Sequence, residues 1–227
     1  MRKQYWIFIF LFVLLIHIGS MIAGWLFVEQ ATKALLIPIL IAYFISETKA
    51  VLSPLKKWVL LALTFSWVGD VLLLFVEKDA AFFLAGLASF LIAHIFYIVF
   101  FHLIRLEQQV QSRPVLVMPV LIYYVALMFM LSPHLGGMKL PVRIYGVVIC
   151  FMLMLAAHML FIKNRKAGLI LLTGALLFVI SDSVLAINKF YGAFSGAGII
   201  IMLTYGAAQL LITTGAIDYL DKKELTE

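Results

Sequence analysis

Charge is scarce in this chain. Asp, Glu, Lys and Arg make up 12% of its 227 residues, about half the share usual in a soluble globular domain. So few charges exclude an ordinary water-facing surface. A single cysteine, Cys150, excludes a disulfide framework or a thiolate metal cluster within one chain, and its place in an apolar run reads as packing. Long polar stretches are missing as well, so no separate soluble catalytic domain fits. Any chemistry must sit among apolar segments.

Apolar residues, in contrast, make up 65%. A bilayer core of roughly 30 Å needs about 20 apolar residues per spanning helix, so this length accommodates seven to nine spans. The expected architecture is therefore all-α: a polytopic membrane protein with a bundle of about eight transmembrane helices. The apolar runs fall at about 5–28, 31–46, 57–76, 80–103, 114–131, 141–162, 166–188 and 196–217. They form one domain over 1–217, followed by a short mixed-charge tail, 218–227. The second run is the shortest, with Pro38 near its first turn or at a kink. The longest loop is expected around Ser132 to Leu140, where Pro133, Gly136 and Gly137 break the helix. Met1-Arg2-Lys3 before an apolar stretch has the outline of a signal peptide. However, Tyr5 to Val28 is too long for one and lacks a small-x-small cleavage site, so it reads as a span.

Lys and Arg are retained on the cytoplasmic side, and this sets the orientation. With the N-terminus inside, Arg2, Lys3, Lys49, Lys56, Lys57, Arg105, Arg113, Lys163, Arg165, Lys166, Lys222 and Lys223 fall inside. Only Lys33, Lys78, Lys139, Arg143 and Lys189 fall outside. Both termini are then cytoplasmic. The bias accounts for the net charge of +6 without a nucleic-acid partner. The expected location is a cell membrane, of the bacterial cytoplasmic kind.

Two carboxylates stand inside these spans. Asp70 lies thirteen residues past Lys57 and Asp182 sixteen past Lys166, roughly 20 and 24 Å from the cytoplasmic ends at about 1.5 Å per residue. They share a depth in the outer half. An aspartate at a helix centre costs roughly 2.5–3.5 kcal/mol on insertion scales, so each should face the bundle interior or a watery cavity. The stretch Ser66 to Leu73 weakly echoes Val179 to Ala186, half a chain later, and a four-helix repeat would run both aspartate helices the same way.

Helical spacing supplies their neighbours. Ser66 is one turn before Asp70, and Gly174, Phe178, Asp182, Leu185 and Lys189 form a stripe on the seventh span. Gly86, Phe90, His94, Tyr97 and Phe101 form another on the fourth, and the eighth offers Tyr205 and Gln209 at i, i+4. Tyr145 lies near the outer end of the sixth span. Lys33, Lys189 and Arg143 lie toward the same end, where they could receive an anionic head group or simply snorkel to the interface. His17, His102 and His158 have no carboxylate at metal-ligand spacing on their own helices and read as packing or interface residues. Read alone, these polar groups suit a structural cluster, a transporter whose midplane aspartates carry protons or a cation, or an intramembrane hydrolase. One form of the last is metal-dependent, with Asp70, Asp182 and His94 as ligands.

An ordered set of motifs resembles the YhhN-like lysoplasmalogenases. It runs from Lys33 and Pro38 through Ser66-x-x-Gly69-Asp70 to Phe83-Leu84-x-Gly86-Leu87-x-x-Phe90-x-x-Ala93-His94-x-x-Tyr97. It continues with Pro141-Val142-x-x-Tyr145, Gly174-Ala175-x-x-Phe178-x-x-Ser181-Asp182-x-x-Leu185-Ala186 and Tyr205-x-x-Ala208-Gln209. No single piece is specific, but the order of the set is. The resemblance implies an eight-helix membrane fold that hydrolyses the vinyl ether bond of 1-alkenyl lysophospholipids, giving a fatty aldehyde and glycerophosphocholine or glycerophosphoethanolamine. The implied partners are a lysophospholipid substrate and the bilayer, with no cofactor and no obligatory metal. Such hydrolysis begins by protonating the carbon beta to the ether oxygen, which makes an oxocarbenium ion. Paired carboxyls in a low dielectric suit an acid and its ionised counterpart, as in glycoside hydrolysis. Asp70 and Asp182 are thus the candidate catalytic pair, in either order. Lys33, Ser66, His94, Tyr97, Tyr145, Lys189, Tyr205 and Gln209 are the candidate supporting residues.

Overall fold

A computed structural model describes the backbone of residues 3–224 and side chains as far as Asp221. Among these residues eight α-helices follow one another: α1 Lys3–Ala23, α2 Leu26–Glu47, α3 Lys56–Leu73, α4 Ala81–Glu107, α5 Val117–Leu131, α6 Lys139–His158, α7 Arg165–Ala186 and α8 Ala197–Glu224. Among the described residues there is no strand. Short 3-10 turns join α5 to its neighbours and follow α6, and a π-helical turn, Ile187–Tyr191, continues α7. The expected all-helical bundle is thus present.

Seven of the eight helices are long and apolar enough to cross a membrane. The remaining one, α3, carries Lys56, Lys57 and Asp70 within 18 residues. Large apolar side chains face outward, Phe8, Phe27 and Phe129 among them, as lipid-facing helices require. The molecule is a multi-pass membrane protein.

Helix ends depart from the apolar runs for identifiable reasons. α2 begins at Leu26, because Gly24 adopts a left-handed turn (φ 70°) and the Trp25 N–H donates back to the Ser20 carbonyl. Pro38 then lies well inside α2. α3 stops at Leu73, ahead of turns that carry Glu77, Lys78 and Asp79. α8 runs on through the stretch expected as a tail, where Lys3 pairs with Asp218 and the Asn164 side chain donates to the Asp218 carbonyl. The expectations for Arg2, for the side chains of Lys222 and Lys223, and for Leu225, Thr226 and Glu227 lie outside the described residues.

Those contacts also order the bundle. Gln108 at the end of α4 donates to the Tyr219 hydroxyl on α8, and the Arg113 N–H donates to His158 at the end of α6. The start of α1, the starts of α5 and α7, and the ends of α4, α6 and α8 therefore share one end of the molecule. Asp70 and Asp182 sit in the last turns of α3 and α7, at the opposite end.

Small residues set the helix spacing around them. A Cβ on Gly69 would meet the Phe90 ring at 2.7 Å, and one on Gly86 would meet Leu73 at 2.8 Å, so α3 and α4 approach closely beside Asp70. Across the bundle, a Cβ on Gly174 would lie 2.9 Å from the backbone nitrogen of Ile212 and 3.0 Å from the carbonyl oxygen of Ala208. α7 and α8 thus touch backbone to backbone. This brings Asp182 onto the side of the core that Tyr205 occupies.

Candidate active site

Asp70 comes from α3 and is 3% exposed. Its Oδ2 accepts a hydrogen bond from the Tyr205 hydroxyl of α8 at 2.6 Å. That hydroxyl in turn accepts from Gln209 Nε2 at 3.4 Å, one turn further along α8, and Gln209 Oε1 accepts from the buried Tyr97 hydroxyl of α4 at 2.7 Å. Three helices therefore fix the orientation of a single carboxyl. A buried polar group without such partners would cost several kcal/mol in a hydrocarbon setting.

Asp182 comes from α7, with its side chain 14% exposed. Its Oδ2 accepts from the Tyr145 hydroxyl of α6 at 2.5 Å, and His94 Nε2 of α4 lies 3.7 Å away. His94 is fully buried, and neither ring nitrogen has a hydrogen-bond partner. Its ring sits edge-on to Phe178 at 4.7 Å and to Tyr145 at 5.3 Å between centroids. Phe178 also packs edge-on against Tyr205, as does Phe90, so an aromatic box separates the two carboxyl and phenol pairs from the core below.

Both aspartates line one cavity, about 660 Å³ including its open mouth. Its wall is mixed. Lys33 and Glu29 of α2 and His17 of α1 share it with Leu73, Phe90, Leu185 and Met202. A second cavity, about 440 Å³ on the same measure, lies on the far side of Leu73, Phe90 and Leu185. Asp182 and Tyr145 are the only polar residues in its wall, and the rest is Phe83, Leu87, Val142, Ala186, Phe190 and the dividing side chains. Asp182 thus stands at the junction between the two.

The sequence-derived candidates are gathered unevenly. Asp70, Asp182, Lys33, Tyr145 and Tyr205 line the cavities, while His94, Gln209 and Tyr97 support them from behind. Ser66 is buried one turn below Asp70 with its hydroxyl unpartnered, and it does not line either cavity. Lys189 stands over the Phe83 ring at 5.0 Å, outside the cavity walls. His17, expected at a packing or interface position, sits between α1 and α2 and also lines the cavity that holds both aspartates. Its Nδ1 lies 3.0 Å from the Thr32 hydroxyl and 3.1 Å from the Glu29 carbonyl, while Nε2 has no partner. His158 holds the interface at the opposite end. Glu29 is a cavity residue that sequence reasoning passed over, although its i, i+4 spacing to Lys33 was visible. Among the described residues, no three of His, Cys, Asp or Glu converge so as to hold a metal ion.

This arrangement offers two buried carboxyls, each steered by a phenol, facing a shared space with one cation at its rim. Such a pair can hold a proton on one member and a negative charge on the other in an apolar setting. The family model described as the YhhN family matches residues 28–216, which takes in every residue of the site except His17 and Met21. The chain is 38% identical to the rat (Rattus norvegicus) protein named Lysoplasmalogenase TMEM86B over 156 residues, 69% of this chain and 60% of the rat protein. It is 35% identical to its human (Homo sapiens) namesake over 157 residues, 69% of this chain and 62% of the human protein. The chain thus spans about three-fifths of the length of these mammalian relatives. A Mycobacterium tuberculosis protein named Lysoplasmalogenase is 30% identical over 203 residues, 87% of this chain and 73% of the mycobacterial one. No solved structure matches the chain.

Proposed function

The chain belongs to the YhhN family, and from that membership we propose that it is a lysoplasmalogenase. As such it would be an intramembrane hydrolase that cleaves the vinyl ether bond of 1-alkenyl lysophospholipids to a fatty aldehyde and glycerophosphocholine or glycerophosphoethanolamine. The observation that carries this reading is the pair Asp70 and Asp182 on one cavity, each accepting a hydrogen bond from a buried tyrosine.

A vinyl ether resists base and yields to acid. Its slow step transfers a proton to carbon and leaves a cation spread over carbon and oxygen. One carboxyl supplies the proton, and the other, ionised, lies against the cation and takes a proton from the attacking water. Tyr145 and Tyr205 each donate to the carboxylate they touch, which stabilises its anionic form when charge develops. His94, packed edge-on against Phe178 and Tyr145, holds the Asp182 side of the site in place. Lys33 at the cavity rim meets the phosphate, and the open mouth admits the lipid from the leaflet. The Lys- and Arg-rich end, where α1 begins and α8 finishes, is the cytoplasmic one, in a cell membrane, which leaves the aspartates nearer the outer face.

Purified protein given a 1-alkenyl lysophospholipid should release aldehyde, and Asp70→Asn and Asp182→Asn should each abolish release. Aldehyde release that persists in both variants would refute the paired-carboxyl mechanism.

A further inference from the structure

The two cavities differ in chemistry, and only one aspartate belongs to both. The first carries the ionisable groups His17, Glu29 and Lys33. The second, beyond Leu73 and Phe90, is apolar apart from Asp182 and Tyr145. A third space continues past Tyr145 between α5, α6 and α7, where Leu127, Met128, Leu131 and Val142 share the wall with Tyr123 and Ser183. Of these three spaces Asp70 borders only the first, whereas Asp182 borders all of them.

A 1-alkenyl lysophospholipid has the same division. Its phosphate and base are charged and its chain is wholly apolar, so burying the chain among Lys33 and Glu29, or the phosphate among Phe83, Leu87 and Phe190, would cost several kcal/mol. The vinyl ether lies at the junction, and it too has a direction. The carbon that takes the proton bears the hydrocarbon chain, and the other carbon bears the oxygen that leads to glycerol.

We infer that the lipid lies across the site in one direction, with its glycerophospho end at Lys33 and its chain beyond Leu73 and Phe90. In that pose Asp182 is the acid that protonates the chain-side carbon, and Asp70 is the carboxylate that manages water. This rests on the vinyl ether hydrolase reading above and adds to it the assignment of the two roles.

The steps balance. The Asp182 carboxyl gives its proton to the chain-side carbon, the C=C π pair forms the new C–H bond, and the oxocarbenium ion appears between the carboxylates. Water in the first cavity attacks the oxygen-bearing carbon and loses a proton to Asp70, giving a hemiacetal. Asp70 then returns that proton to the glycerol oxygen as the C–O bond breaks, and the hemiacetal hydroxyl gives its proton to Asp182. Both carboxyls end as they began, and one water has been consumed.

Isotope exchange in D2O separates the roles. Asp70→Asn retains the acid but loses the base, so protonation reverses before water attacks. The delivered deuteron faces Asp182, and the original hydrogen leaves only after rotation about the new C–C single bond. Lipid recovered from this variant should therefore carry deuterium at the chain-side vinyl carbon in molecules whose double-bond geometry has inverted. Asp182→Asn lacks the acid, and its recovered lipid should carry none. Exchange in Asp182→Asn, or no exchange in Asp70→Asn, would overturn the assignment. The isosteric Asn variants are first matched to the wild type for folding by their thermal transitions in detergent. Failure of the wild-type protein to release aldehyde from any 1-alkenyl lysophospholipid would instead overturn the hydrolase reading on which the assignment rests.

Discussion

Tyr145→Phe tests the site by removing one atom. The substitution keeps the ring that packs edge-on against His94 and deletes only the hydroxyl, which donates to Asp182 Oδ2 at 2.5 Å. Once Asp182 has given up its proton, this bond stabilises the resulting carboxylate. Hydrogen bonds to charged groups contribute about 1.5–3 kcal/mol. At about 1.36 kcal/mol per factor of ten, kcat should fall roughly 10- to 150-fold. KM should change little, because the hydroxyl acts on the acid rather than on the lipid, so the loss belongs to the transition state. The assay is aldehyde release from a 1-alkenyl lysophospholipid in detergent, read through coupled reduction of the aldehyde. Tyr124→Phe serves as control, since its hydroxyl reaches only the Arg143 carbonyl at 3.5 Å. A Tyr145→Phe kcat within about twofold of wild type, or a loss confined to KM, would refute the role given to this bond.

Tyr205→Phe should lower kcat by a similar factor, since it removes the 2.6 Å bond to Asp70 and leaves Gln209 Nε2 without its acceptor. Lys33→Met should raise KM more for a 1-alkenyl lysophospholipid than for 1-alkenylglycerol, which lacks the phosphate; an equal rise for both would remove Lys33 from phosphate binding. Aldehyde release should survive dialysis against EDTA, because no three metal-ligating side chains converge among the described residues, and loss restored by a divalent cation would contradict this. Gly174→Ala should destabilise the protein by about 1–3 kcal/mol, because the new Cβ would lie 2.9 Å from the backbone of α8, while Gly19→Ala, with nothing within 4 Å, should not. Thermal unfolding in detergent compares the two.

The carboxyls were legible in the sequence for a simple reason: lipid makes an aspartate expensive, so position alone marked Asp70 and Asp182. Periodicity likewise placed Tyr205 and Gln209 on one face of one helix. It does not tell which helix faces which, and the polar rim of the cavity depends on that. His17 and Glu29 belong to different helices and meet only because the chain reverses at Gly24. α-Helical spacing continues the stripe through Asp182 and Leu185 to Lys189, whereas the chain there forms a π-helical turn, Ile187–Tyr191, which that spacing does not foresee, with Lys189 over the Phe83 ring. α3 shows the opposite limit. Its two lysines and the aspartate dilute the hydropathy of the very helix that carries half of the pair.

The chain of hydrogen bonds from Tyr97 through Gln209 to Tyr205 has a consequence for where protons can travel. It links the buried middle of the bundle to Asp70, and a row of hydroxyls or waters in that place would be a conduit. A carboxamide is a poor one: its nitrogen does not readily give up a proton, and its oxygen already receives one from Tyr97. Gln209 thus works as an insulator set in the line. Beneath it lie Phe100, Phe101 and Ile104, which are fully buried and apolar. On the mechanism proposed above, a proton handled by Asp70 would therefore come from and return to the cavity side, so turnover there would leave any ion gradient across the membrane untouched.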